Sequence, residues 1–150
     1  MDIQQELRKL RDYRQLLELK YRYCWALDAD DADGYASVFT EDGVLTARRF
    51  SESEPNVRRE GREDLRDLIR ERRETLDYTA AQHRPYNPVI ELDRDEATGK
   101  WYFTSVAERG DGTVEFEFGE YHEAYRRVDG SWGISRSRVR YTTMQPVLQP

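Results

Sequence analysis

The chain has 150 residues, 36% of them charged with both signs interleaved, and a net charge of −6. That length suits one domain burying about two-thirds of its unfolded surface, and that balance argues against a nucleic-acid partner, which needs a concentrated positive face. The single cysteine, Cys24, excludes an intrachain disulfide framework. No apolar run approaches the ~20 residues of a membrane span, and the N-terminus MDIQQELRKL lacks the apolar core of a signal peptide. A soluble, cytoplasmic protein with no membrane partner is expected.

In chain order, Ile3 to Leu27 reads as one long helix. Ile3, Leu7, Leu10, Leu17, Cys24 and Leu27 recur at helical spacings and predict one buried stripe. The acidic residues 28–33 interrupt it, and Asp31 or Asp33 is placed to cap a short second helix carrying Tyr35, Val38 and Phe39. Glu41-Asp42-Gly43 then turns the chain into a short strand, Val44 to Ala47. Residues 48–60 are polar, contain Pro55 and show no period, which predicts a loop and a candidate lid. A third helix follows Gly61, with Leu65, Leu68, Ile69, the stem of Arg72 and Leu76 on one side.

Beyond Tyr78 the composition turns β-branched and aromatic. Strands are predicted from Thr79 to Leu92 and from Gly99 to Glu108. Arg109-Gly110-Asp111-Gly112 is a hairpin signal leading into a third strand that ends at Val128. Asp129-Gly130 leads into the fourth, Trp132 to Thr143. Helices first and a meander afterwards define an α+β fold, a cone-shaped curved antiparallel sheet with three N-terminal helices enclosing a pocket.

Two residues carry the chemistry. Asp28 ends the segment YRYCWALD, and His83 is one of two histidines. Imidazole titrates close to neutrality, where a general base works best, and a carboxylate beside it fixes the tautomer and stabilises the imidazolium formed on proton abstraction. The alternative is that Asp28 caps local backbone and His83 is a satisfied polar residue at a strand start. Tyr23 is placed either as a donor to developing oxyanion charge or as core packing. Tyr121 and Tyr125 share one face of their strand by period-2 alternation, with pocket lining and core packing both open. His122 points to the opposite face. Glu115 and Glu117 alternate with Phe116 and Phe118 and are expected to face solvent or a partner. Two histidines and one cysteine show no zinc spacing, and no phosphate loop is present, so neither metal nor cofactor is expected.

The segments YRYCWALDADDADGYASVFTEDGVL, GREDLRDLI, HRPYNPVIELDRDEATGKWYF and GEYHEAYRRVDGSWGIS, in this order, resemble the SnoaL-like branch of the nuclear-transport-factor-2-like superfamily. The resemblance implies the cone-shaped fold, with parallels among scytalone dehydratases, hexachlorocyclohexane dehydrochlorinases and bile-acid dehydratases. Their aspartate at the end of the first helix matches Asp28, and their base histidine matches His83. The dehydrochlorinase asparagine matches Asn87, the bile-acid enzyme's tyrosine matches Tyr23, and Tyr121 falls where these enzymes line the pocket. Two positions depart from the scytalone pattern: Ala47 stands in place of a strand tyrosine, and the second pocket histidine is absent, Ser105 being the nearest polar replacement.

The resemblance implies a cofactor-independent lyase or isomerase, eliminating across an apolar cyclic or aromatic small molecule. His83, Asp28 and Tyr23 would be catalytic, with Tyr121, Asn87, Ser105 and Tyr125 binding substrate. Two alternatives stay open: a non-catalytic ligand-binding or assembly subunit, such as an oxygenase small subunit, and a polyketide-cyclase-type aldol cyclisation. A homo-oligomer, dimer or trimer, is expected, because aromatic side chains on the outer sheet face would leave a monomer with wet apolar surface.

Overall fold

The protein is described here by a computed structural model covering residues 2–48 and 53–148, and of residues 143–148 the backbone only. Three helices, α1 (Ile3–Asp28), α2 (Ala32–Ser37) and α3 (Arg62–Thr75), are interleaved with and followed by six strands. The strands are β1 (Phe39–Arg48), β2 (Val57–Glu60), β3 (Tyr78–Asp93), β4 (Glu96–Arg109), β5 (Val114–Val128) and β6 (Ser131–Leu148). They form one curved, unclosed sheet in the order β2-β1-β6-β5-β4-β3. Successive hairpins join β3 to β6, so those pairings are antiparallel. The expectation of a wholly antiparallel sheet needs one correction: β1 lies parallel to β6. The two are far apart in sequence, with four strands between them, so no local turn dictates their direction.

The helices cover the concave face. Leu16, Leu19, Tyr23, Tyr35, Phe39, Leu65 and Ile69 meet Trp101, Phe103, Tyr121, Tyr125 and Ile134 of the sheet in one buried core. The predicted stripe of α1 holds only in its second half. Ile3, Leu7 and Leu10 are 70%, 57% and 65% exposed, while the polar side of the same turns, with Gln5, Arg8 and Asp12, faces Leu92, Asp95 and Arg127 across a groove. Burial starts at Leu16 and continues through Leu19, Lys20, Tyr23 and Cys24.

Asp31 rather than Asp33 caps α2, its carboxylate accepting the Gly34 amide at 2.9 Å. Val38 ends that helix and Phe39 already belongs to β1. Glu41-Asp42-Gly43 is not a turn: β1 runs through it, with a register irregularity against β6 between Phe39 and Val44.

The predicted loop of residues 48–60 contains a strand. β2 pairs antiparallel with β1, Val44 opposite Glu60 and Ala47 opposite Val57. Arg59 ties β2 to α3 through Asp64 and Glu71, and polarity had hidden this edge strand. Residues 49–52, the centre of the candidate lid, lie outside the described residues. Among the described residues no helix is long and apolar enough to cross a membrane.

Candidate active site

Asp28 is the last residue of α1, a helix whose final turn carries no basic side chain. A carboxylate there faces the negative end of the helix dipole, so it needs donors from elsewhere. His83 supplies them. It lies on β3, the edge strand of the sheet, and the edge-side amide that β4 does not use is free to leave the ladder. That amide donates to both Asp28 oxygens, at 2.9 and 3.1 Å, and the ring Nδ1 lies 2.6 Å from Asp28 Oδ1. In the tautomer that lets the ring donate to the Asp28 carboxylate, the proton is on Nδ1 and the lone pair on Nε2. Both side chains are largely shielded, at 10% and 20% exposure.

Two cavities meet at His83. A groove of about 370 Å³ runs between α1 and β3, lined by Tyr21, Cys24, Trp25 and Asp28 and by residues 81–85. The second, of about 240 Å³, lies inside the cone between α3 and the sheet, and His83 is part of its wall too. Its lining is mostly aliphatic, including Leu27, Leu45, Leu68, Leu76 and Val139, with Tyr23, Tyr35, Tyr141, Glu71, Arg72 and Thr75 as polar points beside His83. Ala47 is on this wall as well, so the position where the scytalone pattern carries a tyrosine adds space here. We take the inner cavity as the candidate site because it lies between α3 and the sheet and combines a mainly aliphatic lining with convergent polar side chains, as small-molecule sites do.

Tyr23 Oη accepts a hydrogen bond from Tyr35 Oη at 3.1 Å. Burial, and then the neighbouring Tyr35 and Tyr121 hydroxyls, hold the Tyr23 phenol well above its ordinary range. Burial raises Tyr35 likewise. Both are therefore neutral donors near pH 7, suited to hydrogen-bonding an oxyanion and unsuited to acting as bases.

The remaining expected substrate contacts fall elsewhere. Tyr121 is core: its ring lies against Phe103 at 4.6 Å between centroids, and Lys20 Nζ sits 3.2 Å from its centroid. Tyr125 accepts from Trp101 Nε1 at 2.9 Å and donates to Glu123. Ser105 is paired directly opposite His83 on β4, yet its hydroxyl donates to Glu117 at 2.8 Å and it does not reach either cavity. Asn87 is exposed at a register irregularity of β3, with φ 51°, a left-handed position that asparagine tolerates better than most residues. Period-2 alternation gave one shared face for Tyr121 and Tyr125, and both rings are buried in the core on it.

His122 lies on the outer face beside Glu120, 2.9 Å away. Glu115 and Glu117, expected at solvent or a partner, are half-buried and bonded within the chain, Glu115 accepting from Tyr78 and Arg109. They share the side of β5 that carries Tyr121.

Sequence reasoning missed Tyr35 and Tyr141 as cavity residues, and also Arg72. A signal existed for Tyr141, which follows Val139 at strand spacing. The sequence put Tyr35 on α2 and the stem of Arg72 on the apolar side of α3, but nothing local marked either as lining a cavity. A buried ion pair was missed too: Lys20 Nζ donates to Glu123 Oε1 at 2.7 Å, with both side chains at 0% exposure. Among the described residues no cluster of three or more His, Cys, Asp or Glu is placed to hold a metal.

An unclosed curved sheet with helices packed on one face is the fold of the SnoaL-like proteins. The chain belongs to the SnoaL-like domain family, whose profile matches residues 8–138. Among solved structures it is similar to a provisionally assigned scytalone dehydratase from Novosphingobium aromaticivorans, at 20% identity and TM-score 0.80, covering 95% of this chain and 91% of that one. It is also similar to the hexachlorocyclohexane dehydrochlorinase LinA-type3 from Novosphingobium barchaimii, at 18% identity and TM-score 0.81, covering 97% of each. A third is a provisionally assigned aromatic ring hydroxylase from Novosphingobium aromaticivorans, at 21% identity and TM-score 0.78, covering 93% of this chain and 95% of that one. At these identities the likeness shows the fold. No functionally curated protein matches the sequence.

Proposed function

We propose that the protein is a cofactor-independent lyase of the dehydratase type, acting on a small apolar cyclic or aromatic molecule. The observation that carries this reading is the 2.6 Å contact between His83 Nδ1 and Asp28 at a wall of the inner cavity. Asp28 lines the outer groove and not the cavity, so the ring edge remote from Asp28, which carries Nε2, is the one assigned to the substrate. Nε2 takes a proton from carbon next to a carbonyl or other acidifying group. The C–H electron pair forms the new double bond, and a hydroxide or halide leaves with the pair of its own bond. Asp28 stabilises the imidazolium during transfer, and Tyr23 donates to the oxygen on which negative charge develops.

The test is turnover of hydroxylated and halogenated cyclic carbonyl compounds, followed by absorbance of the new conjugated double bond. His83→Ala and Asp28→Asn are each expected to lower it by ~100-fold or more, with thermal unfolding preserved in at least one of them. Full turnover in both variants with folding intact would sink the proposal.

A second reading, a ligand-binding or assembly subunit of an oxygenase, draws on the likeness to the provisionally assigned aromatic ring hydroxylase and on the exposed outer-face aromatics Tyr86, Tyr102 and Phe118. It predicts ligand binding without any turnover in the same assay.

A further inference from the structure

Arg72 is the cation of the cavity wall; it is paired with Asp30 and its guanidinium carbon lies 5.9 Å from the Tyr78 ring centroid, yet only one of its three nitrogens is hydrogen-bonded to the described residues. Its side chain is 17% exposed. Nη1 donates to the Leu27 carbonyl at 3.1 Å and to Asp30 Oδ1 at 2.8 Å, two acceptors that flank Asp28 in the chain. This grip holds the end of α1, including Asp30 in its left-handed conformation at φ 51°. A guanidinium presents five donors in a rigid plane and keeps its charge at any physiological pH. Nη1 has spent its two. Nε and Nη2 make no hydrogen bond to the described residues, while Arg72 lines the cavity that His83 also lines. The other charged residue on that wall, Glu71, is engaged by two nitrogens of Arg59.

A guanidinium with open N–H donors beside a mainly aliphatic lining favours an acceptor that reaches them, and a planar fork matches a carboxylate. We propose that Arg72 makes this cavity selective for substrates bearing a carboxylate, gripped by the free donors of the guanidinium while the ring extends toward His83. The inference rests on reading the inner cavity as the substrate site and narrows its substrate class to small cyclic acids. Size agrees: about 240 Å³ is below the ~300–1,000 Å³ of drug-sized pockets, leaving room for one ring and a short acidic arm.

Benzoate and benzamide share ring and shape and differ in charge, so they separate charge recognition from apolar fit. Binding of each to the full chain is to be measured by calorimetry and by shifts of the His83 ring resonances. Wild type is expected to prefer benzoate by on the order of tenfold or more. Arg72→Gln is expected to abolish that preference, and Arg72→Lys to retain only part of it, because an ammonium lacks the fork. Since Arg72→Gln also loosens the α1 terminus, Asp30→Asn serves as the second variant. It weakens the same tether but leaves the guanidinium in place, and it is expected to keep the preference.

Equal binding of the two probes by wild type, a preference that survives in Arg72→Gln, or binding of neither probe would each overturn the proposal. Turnover is scored separately. A benzoate preference that depends on Arg72, in a protein inert toward every cyclic acid offered, would uphold the selectivity and refute the lyase reading.

Discussion

Lys20 and Glu123 show how strongly a single residue's environment can depend on the whole fold. Each charge has been taken entirely out of water, and each is compensated. Lys20 Nζ donates to Glu123 and sits over the Tyr23 and Tyr121 rings at 3.9 and 3.2 Å. Glu123 also accepts from Ser137 at 3.0 Å and from Tyr125. Deleting one partner strands the other, so Lys20→Met alone is expected to cost about 3–5 kcal/mol. Lys20→Met combined with Glu123→Leu should recover most of that loss, because no unpaired charge is left in the core. Chemical denaturation of the two variants checks this; an additive double mutant would show that the pair contributes nothing through its mutual contact. In the sequence, Lys20 is an ordinary helix lysine among many charged residues, and nothing local distinguishes it.

Among the elements, β5 and β6 show how the sheet bends. Their register shifts between Phe118 and Gly119, where Phe118 opposes Thr143 and Gly119 opposes Tyr141. A Cβ at Gly119 would lie 2.4 Å from both the Arg140 carbonyl oxygen and a Phe103 ring atom. Neither can withdraw easily, since one is backbone and the other is packed in the core. Gly119→Ala is therefore expected to destabilise by about 1–3 kcal/mol or more, read as a lower thermal midpoint. A variant as stable as wild type would mean that the sheet can straighten at this point.

The same elements show what could be read locally. The β3–β4, β4–β5 and β5–β6 hairpins follow from their turn residues, and α3 from its apolar spacing. β2 escaped because Val57-Arg58-Arg59-Glu60 has no apolar alternation of its own. It is a strand because β1 offers it a free edge and α3 offers Arg59 two carboxylates. The first half of α1 has the apolar spacing of a buried helix and yet stays exposed, since spacing specifies a face without specifying whether anything lies opposite.

For the whole molecule, the buried ionisable groups set an alkaline limit. Burial raises Tyr23, Tyr35, Tyr121 and Tyr125 above the ordinary 10.0 and pushes the Cys24 thiol from 9.0 to about 12. In each case the folded state holds its proton more tightly than the unfolded chain. Their contribution to stability is thus fully present below the unfolded values and is lost as pH rises through 9.0 and 10.0 toward the folded ones. Unfolding free energy should fall steadily above that onset, and the phenolate absorbance of these tyrosines should emerge together with loss of far-ultraviolet dichroism. Phenolate formation by all ten tyrosines before any loss of structure would contradict their burial.

Several properties follow from residue order alone. Helices precede a meander because apolar spacing changes from helical to alternating near Tyr78, and that is a local property of neighbouring side chains. The candidates Asp28 and His83 were legible because a chain with two histidines leaves little choice and the family motifs place both. The contact between them was decided by tertiary structure. It requires β3 to be the sheet's edge, so that one amide is free, and α1 to end at that edge. Tyr35, Tyr141 and Arg72 join the cavity for the same reason: three elements distant in sequence converge on one space. The parallel β1–β6 pairing and the Lys20–Glu123 contact are non-local in the same way, set by packing across the core, to which spacing along the chain is blind.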